Sequence, residues 1–167
     1  MRLFIAINFN ETVKSQIIQV QNLLREHSLK GNFTLQENIH LTLVFLGELP
    51  ESNIDSIKKI ISSIEFEPFQ ITFSHTGSFE QDAGKLFWLG LEPCDELLHI
   101  QKKLAAMLLE SKFKIENRKF IPHLTLSRKT IIKSAFKKQN LNINSTVEKI
   151  SLMKSERINN KLTYTEI

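Results

Sequence analysis

The chain has 167 residues, 41% of them hydrophobic and 24% charged, enough to bury a real core and few enough for one compact domain. Its 22 Lys and Arg against 18 Asp and Glu leave a net charge of +4, a tilt toward polyanionic or phosphorylated partners, although no basic run exceeds a pair. The single cysteine, Cys94, excludes an internal disulfide. No apolar stretch approaches the roughly 18 residues of a membrane span, and no signal segment is recognisable, so a cytoplasmic protein without membrane contact is expected.

The predicted elements alternate between strands and helices. Leu3 to Ile7 is apolar on both parities, the pattern of a strand covered on both faces. Asn10 can cap a helix with a stripe at Val13, Ile17, Val20 and Leu24. After a strand carrying His40, Pro50 opens a second helix with Ile54, Ile57, Ile61 and Ile64 on one side. Phe69, Ile71 and Phe73 alternate with polar residues, and Leu86 to Leu91 reads as a buried strand. A third helix follows Pro93, with Leu97, Ile100, Leu104 and Leu108 on one face, before a strand carrying His123. A short helix is expected over Ile131 to Lys138, then a hairpin in which Ile150 and Leu152 face Leu162 and Tyr164 across "RINNK".

The tetrapeptide His-Leu-Thr-Leu occurs at His40 and again 83 residues later at His123. The same offset superimposes Arg2-Leu3-Phe4 on Lys85-Leu86-Phe87 and Ile17 on Ile100. Residues 1–167 are therefore read as a single domain of two half-domains with similar topology, each running strand, helix, His-x-Thr strand.

On a strand, side chains i and i+2 share a face. His40 and Thr42 thus point one way while Leu41 and Leu43 point the other, and His123 with Thr125 repeats the arrangement. A pseudo-twofold axis would bring both pairs to one cleft. Two imidazoles can divide general acid and general base work near neutral pH, and the hydroxyls of Thr42 and Thr125 can donate to non-bridging oxygens of a phosphate. The constellation suits in-line displacement at phosphorus.

With these motifs the chain resembles the two-histidine phosphoesterases, marked by a pair of His-x-Thr-x motifs. Within them it is most similar to the bacterial and archaeal RNA 2′,3′-cyclic phosphodiesterases, formerly described as 2′-5′ RNA ligases. The resemblance runs through "MRLFIAI", "NIHLTLVFLGEL", "KLFWLGLE", "RKFIPHLTLSR" and the closing strands. It implies an α+β fold of two pseudo-symmetric lobes, with antiparallel sheets lining a central cleft and helices outside. It also implies a proton-donor role for His40, an acceptor role for His123, no metal and no cofactor. The implied partners are RNA or oligonucleotide ends bearing a 2′,3′-cyclic phosphate, met by a monomer.

Other readings stand beside this one. Hydrolysis of 2′-5′ linked oligonucleotides or small cyclic phosphates would use the same residues. A metallohydrolase would need carboxylates or further histidines at short spacing, and neither motif has them. A non-catalytic nucleotide-phosphate module would not need two titratable imidazoles. His27, His75 and His99 lack a threonine at i+2 and read as structural, and Phe87 and Trp88 read as core. Strict alternation sets Arg128 with Leu124 and Leu126, away from the cleft, unless a bulge intervenes. Cys94 has no motif of a nucleophile.

Overall fold

The structure, a computed structural model, describes residues 1–167. Nine strands and three α-helices follow one another along the chain: β1 Arg2–Asn8, α1 Glu11–Glu26, β2 Ser28–Phe33, β3 His40–Glu48, α2 Ile54–Ser62, β4 Phe69–Gln81, β5 Gly84–Leu91, α3 Asp95–Glu110, β6 His123–Ile132, β7 Asn140–Val147, β8 Ser151–Ile158 and β9 Lys161–Glu166. The strands form two wholly antiparallel sheets, one ordered β3-β1-β8-β9 and one ordered β2-β6-β5-β4-β7. The α+β class and antiparallel sheets implied by the resemblance are what is seen.

The helices form where the apolar spacing predicts them. The Asn10 side chain accepts the Val13 N–H at 2.9 Å, satisfying a donor that the first turn leaves free, and Val13, Ile17, Val20 and Leu24 are buried. In α3 the buried stripe is Leu97, Ile100, Leu104 and Leu108. Pro50 precedes a single 3-10 turn, so α2 begins only at Ile54. Thirty buried residues from both sheets and all three helices make one continuous core.

Two of the helices, α1 and α3, do not cover the sheet of the strand that precedes them, whereas α2 packs on β8 in the sheet of β3. β1 lies in the four-stranded sheet, yet α1 packs on β2 and β7 of the other. β5 lies in the five-stranded sheet, and α3 packs on β3 of the first. Each half therefore spans the molecule, and the two His strands, β3 and β6, approach each other without being ladder neighbours.

Two expectations need correction, and two strands escape the sequence pattern. Residues 133–139 form no helix: β6 runs to Ile132, and Lys133 and Ser134 donate their N–H groups to the His27 carbonyl, which turns the chain. The final hairpin turns at Asn159 and Asn160, both at positive φ (50° and 64°), the conformation a tight two-residue turn requires. Leu162 therefore opposes Arg157 and Tyr164 opposes Ser155, a tighter register than one with Ile150 and Leu152 as their partners. Strands β2 and β7 carry too few apolar residues, in "SLKGNF" and "NLNINSTV", to stand out by periodicity.

Candidate active site

β3 and β6 carry the same burial pattern over their first six residues, from His40 to Phe45 and from His123 to Arg128. Leu41, Leu43, Leu124 and Leu126 point into the core, leaving His40, Thr42, His123 and Thr125 half-buried on the opposite face. Each imidazole is fixed by the same local bond. His40 Nδ1–H donates to the Asn38 carbonyl at 2.7 Å, and His123 Nδ1–H donates to the Ile121 carbonyl at 2.8 Å. A ring whose Nδ1 is a committed donor keeps Nε2 free for chemistry. His40 Nε2 accepts from the Thr42 hydroxyl at 2.9 Å.

His40 feels the other motif. Burial holds the His40 imidazole below the usual histidine range, and the nearby positive charges of Arg128 and His123 push in the same direction. The bond to Asn38 opposes them and does not prevail. His40 is also enclosed by Phe4 at 4.9 Å and Tyr164 at 5.1 Å between ring centroids, and Phe79 meets His123 edge-on at 5.8 Å.

Arg128 belongs with this group, which alternation alone does not reveal. Thr125 pairs with Trp88 and Ser127 with the adjacent Phe87, so Leu126 is an extra residue on β6. This bulge reverses the parity beyond it: Ser127 is buried and Arg128 is exposed on the side of His123 and Thr125. The same irregularity occurs in β3, where Thr42 pairs with Ala6 and Val44 with the adjacent Ile5. Val44 turns inward, and Phe45, 46% exposed, takes the face of His40 and Thr42.

The pairing also revises Trp88. Opposite the two threonines stand Ala6 and Trp88, whereas an offset of 83 would equate Trp88 with the core residue Ile5. A one-residue step exchanges the faces of a strand. Phe87 is core, but Trp88 lies on the face of Thr125, its indole against Gly77, where even a Cβ would sit 2.2 Å from the ring. Its buried Nε1–H has no hydrogen-bond partner. His75 stands on this face as well, over Gly90, which is the partner of His123. His27 bonds Ser134 at the end of α1, and His99 is exposed on α3. Burial raises the Cys94 thiol above its ordinary range, which disfavours a thiolate.

Asn38 is a further contributor that no motif marks. It is 4% exposed; its amide donates to the Leu162 carbonyl at 2.8 Å and its Oδ1 accepts the Tyr164 N–H at 3.1 Å. The residue whose carbonyl orients His40 is thus tied to β9. No cluster of three or more His, Cys, Asp or Glu side chains is arranged to hold a metal ion, and no helix is long and apolar enough to cross a membrane.

Residues 9–159 match the family model of the 2′-5′ RNA ligase superfamily. The chain is 36% identical over 131 residues to the RNA 2′,3′-cyclic phosphodiesterase of Thermotoga maritima, which covers 77% of this chain and 70% of the relative. Among solved structures, Escherichia coli LigT complexed with 3′-AMP superposes with a TM-score of 0.84 at 25% identity, covering 99% of this chain and 94% of that one. A Thermus thermophilus protein shares the fold with a TM-score of 0.87 at 24% identity, covering 100% and 95%. On the extent of the family match and of this identity, the chain belongs to the 2′-5′ RNA ligase superfamily.

Proposed function

We propose that the protein is a metal-independent phosphodiesterase that opens RNA 2′,3′-cyclic phosphate ends to 2′-phosphates, acting as a cytoplasmic monomer. The observation that carries the reading is the pair of His-x-Thr strands facing one another, each imidazole holding Nδ1–H on the carbonyl two residues before it. The relatives named RNA 2′,3′-cyclic phosphodiesterases, and the LigT complex with 3′-AMP, support a nucleotide phosphate in this cleft.

In this reading the phosphorus sits between the two Nε2 atoms. His123 Nε2 takes a proton from water as its oxygen bonds to phosphorus; the bond from phosphorus to the 3′ oxygen breaks, and His40 Nε2–H donates to the departing oxygen. The products are a 2′-phosphate and a 3′-hydroxyl. Thr42 and Thr125 donate to the non-bridging oxygens, and the Arg128 guanidinium neutralises their charge. Thr42 must leave His40 Nε2 to do so, and the incoming anion favours the imidazolium that burial and Arg128 disfavour in the free protein. Phe45 offers an exposed aromatic face on the same wall for a base.

The test is to incubate the protein with a short RNA ending in a 2′,3′-cyclic phosphate, with and without EDTA, and to identify the product. A 2′-phosphate formed at equal rates is expected. Loss of activity in EDTA with recovery on adding zinc or magnesium would overturn the metal-independent mechanism; a 3′-phosphate would overturn the regiochemistry.

A further inference from the structure

Each His strand is bulged at the same place, and each bulge carbonyl is held by a glutamine from the helix of the other half. Leu126, the extra residue of β6, directs its carbonyl away from β5; it accepts the Thr34 N–H at 2.9 Å and Gln21 Nε2 at 3.0 Å. Gln21 lies on α1, is 2% exposed, and also donates to the Thr34 carbonyl at 2.8 Å. The Thr34 hydroxyl closes the arrangement by donating to the Thr125 carbonyl at 2.9 Å. In β3 the corresponding carbonyl is that of Leu43, and Gln101 of α3 reaches it at 3.4 Å.

A buried amide is costly unless its donors are satisfied, and α1 is otherwise anchored by aliphatic residues. A leucine would serve packing alone at position 21. A glutamine there gives the bulge carbonyl of Leu126 a second donor beside the Thr34 N–H. With the Thr34 N–H as its one remaining donor the bulge is held less firmly, and the relaxed alternative is a regular strand in which residues beyond Thr125 exchange faces. Ser127 would then turn toward the cleft and Arg128 away from it.

We propose that Gln21 is a positioning residue for phosphate binding: it stabilises the Leu126 bulge and thereby presents Arg128 to the cleft. Gln101 does the same, through a longer and less buried bond, for the Leu43 bulge and Phe45. The functional part rests on the phosphodiesterase reading; the structural part does not.

The experiment combines a mutant cycle with hydrogen exchange. KM and kcat for a cyclic-phosphate-ended RNA are measured for the wild type, Gln21→Met, Arg128→Ala and the double variant, and exchange is followed in the segment from Leu124 to Lys129. Gln21→Met keeps the volume and removes the donors. The expected result is a KM raised about tenfold with kcat changed less than about twofold, the pattern of lost uniform binding to a charged contact. In the Arg128→Ala background the same change adds less than about twofold, and exchange in the segment speeds up at least about tenfold. If the Met variant does not fold, Gln21→Leu removes the same donors with a smaller apolar side chain and is held to the same criteria. Equal KM effects in both backgrounds, or unchanged exchange, would overturn the proposal. Accelerated exchange in a protein that cleaves no cyclic phosphate would support the bulge clamp and refute the phosphodiesterase reading instead.

Discussion

Phe45 and Arg128 occupy the same position in the two halves, three residues beyond Thr42 and Thr125 and immediately past a bulge. The backbone repeats, but one half presents an aromatic face and the other a cation. On the proposed function this asymmetry gives the site a direction: a phosphate with a base on one side would be held in one orientation. Such a substrate needs one acid and one base, not two equivalent imidazoles.

The sign of the His40 shift makes a pH prediction. Burial, with Arg128 in a smaller part, lowers the His40 pKa in the free protein, and a bound phosphate anion would raise it. The bell for kcat/KM, which reports the free enzyme, should therefore be centred at lower pH than the bell for kcat, with limbs belonging to the coupled pair. Arg128→Ala should move the kcat/KM bell to higher pH. Coincident bells, or a shift downward, would refute the electrostatic account.

The same shift bears on stability. A histidine depressed by folding is protonated first in the unfolded chain, so its contribution is complete above about pH 6.5 and declines as pH falls through the lower folded value. Thermal melts should show His40→Gln losing less stability than the wild type between pH 7 and 5. Parallel losses would mean that His40 protonation is not linked to unfolding.

For the threonines the expected cost of Thr→Ala at either position is roughly 10²–10³-fold in kcat/KM, the scale of one lost donor to a developing oxyanion. Thr→Ser should restore most of it. Serine failing as badly as alanine would show that the methyl group, through packing, is what matters.

The division of labour between the histidines is separable with sulfur in place of the bridging 3′ oxygen, because a thiolate leaves without a proton. His40→Ala should cost about 10²–10⁴-fold on the oxygen substrate and regain most of it with sulfur. His123→Ala should stay slow on both. Rescue of His123→Ala alone would reverse the roles.

Gly77 provides a structural check by way of the only tryptophan. A Cβ at that position would overlap the Trp88 ring, so Gly77→Ala should displace the indole, shift its emission and destabilise the fold by about 1–3 kcal/mol. Unchanged emission and melting temperature would mean that the indole does not lie on Gly77.

The helix stripes, the buried first strand and the face shared by each His-x-Thr pair were legible because apolar periodicity and i, i+2 alternation are local properties of the chain. Arg128, Phe45 and Trp88 were not legible. Alternation assigns faces only while every residue has one ladder partner, and the extra residues Leu43 and Leu126 are ordinary leucines in an apolar run. What marks them is tertiary: the Leu126 carbonyl meets Gln21, 105 positions away, and the Leu43 carbonyl meets Gln101, 58 positions away. Asn38 likewise became significant only once β9 lay beside it, 124 residues further along the chain. Sequence alone decided which side chains could perform acid, base and phosphate chemistry. The crossing of α1 and α3 to the opposite sheets decided which of them come together, because it sets the hydrogen-bond partners Gln21 and Gln101 at the two bulges.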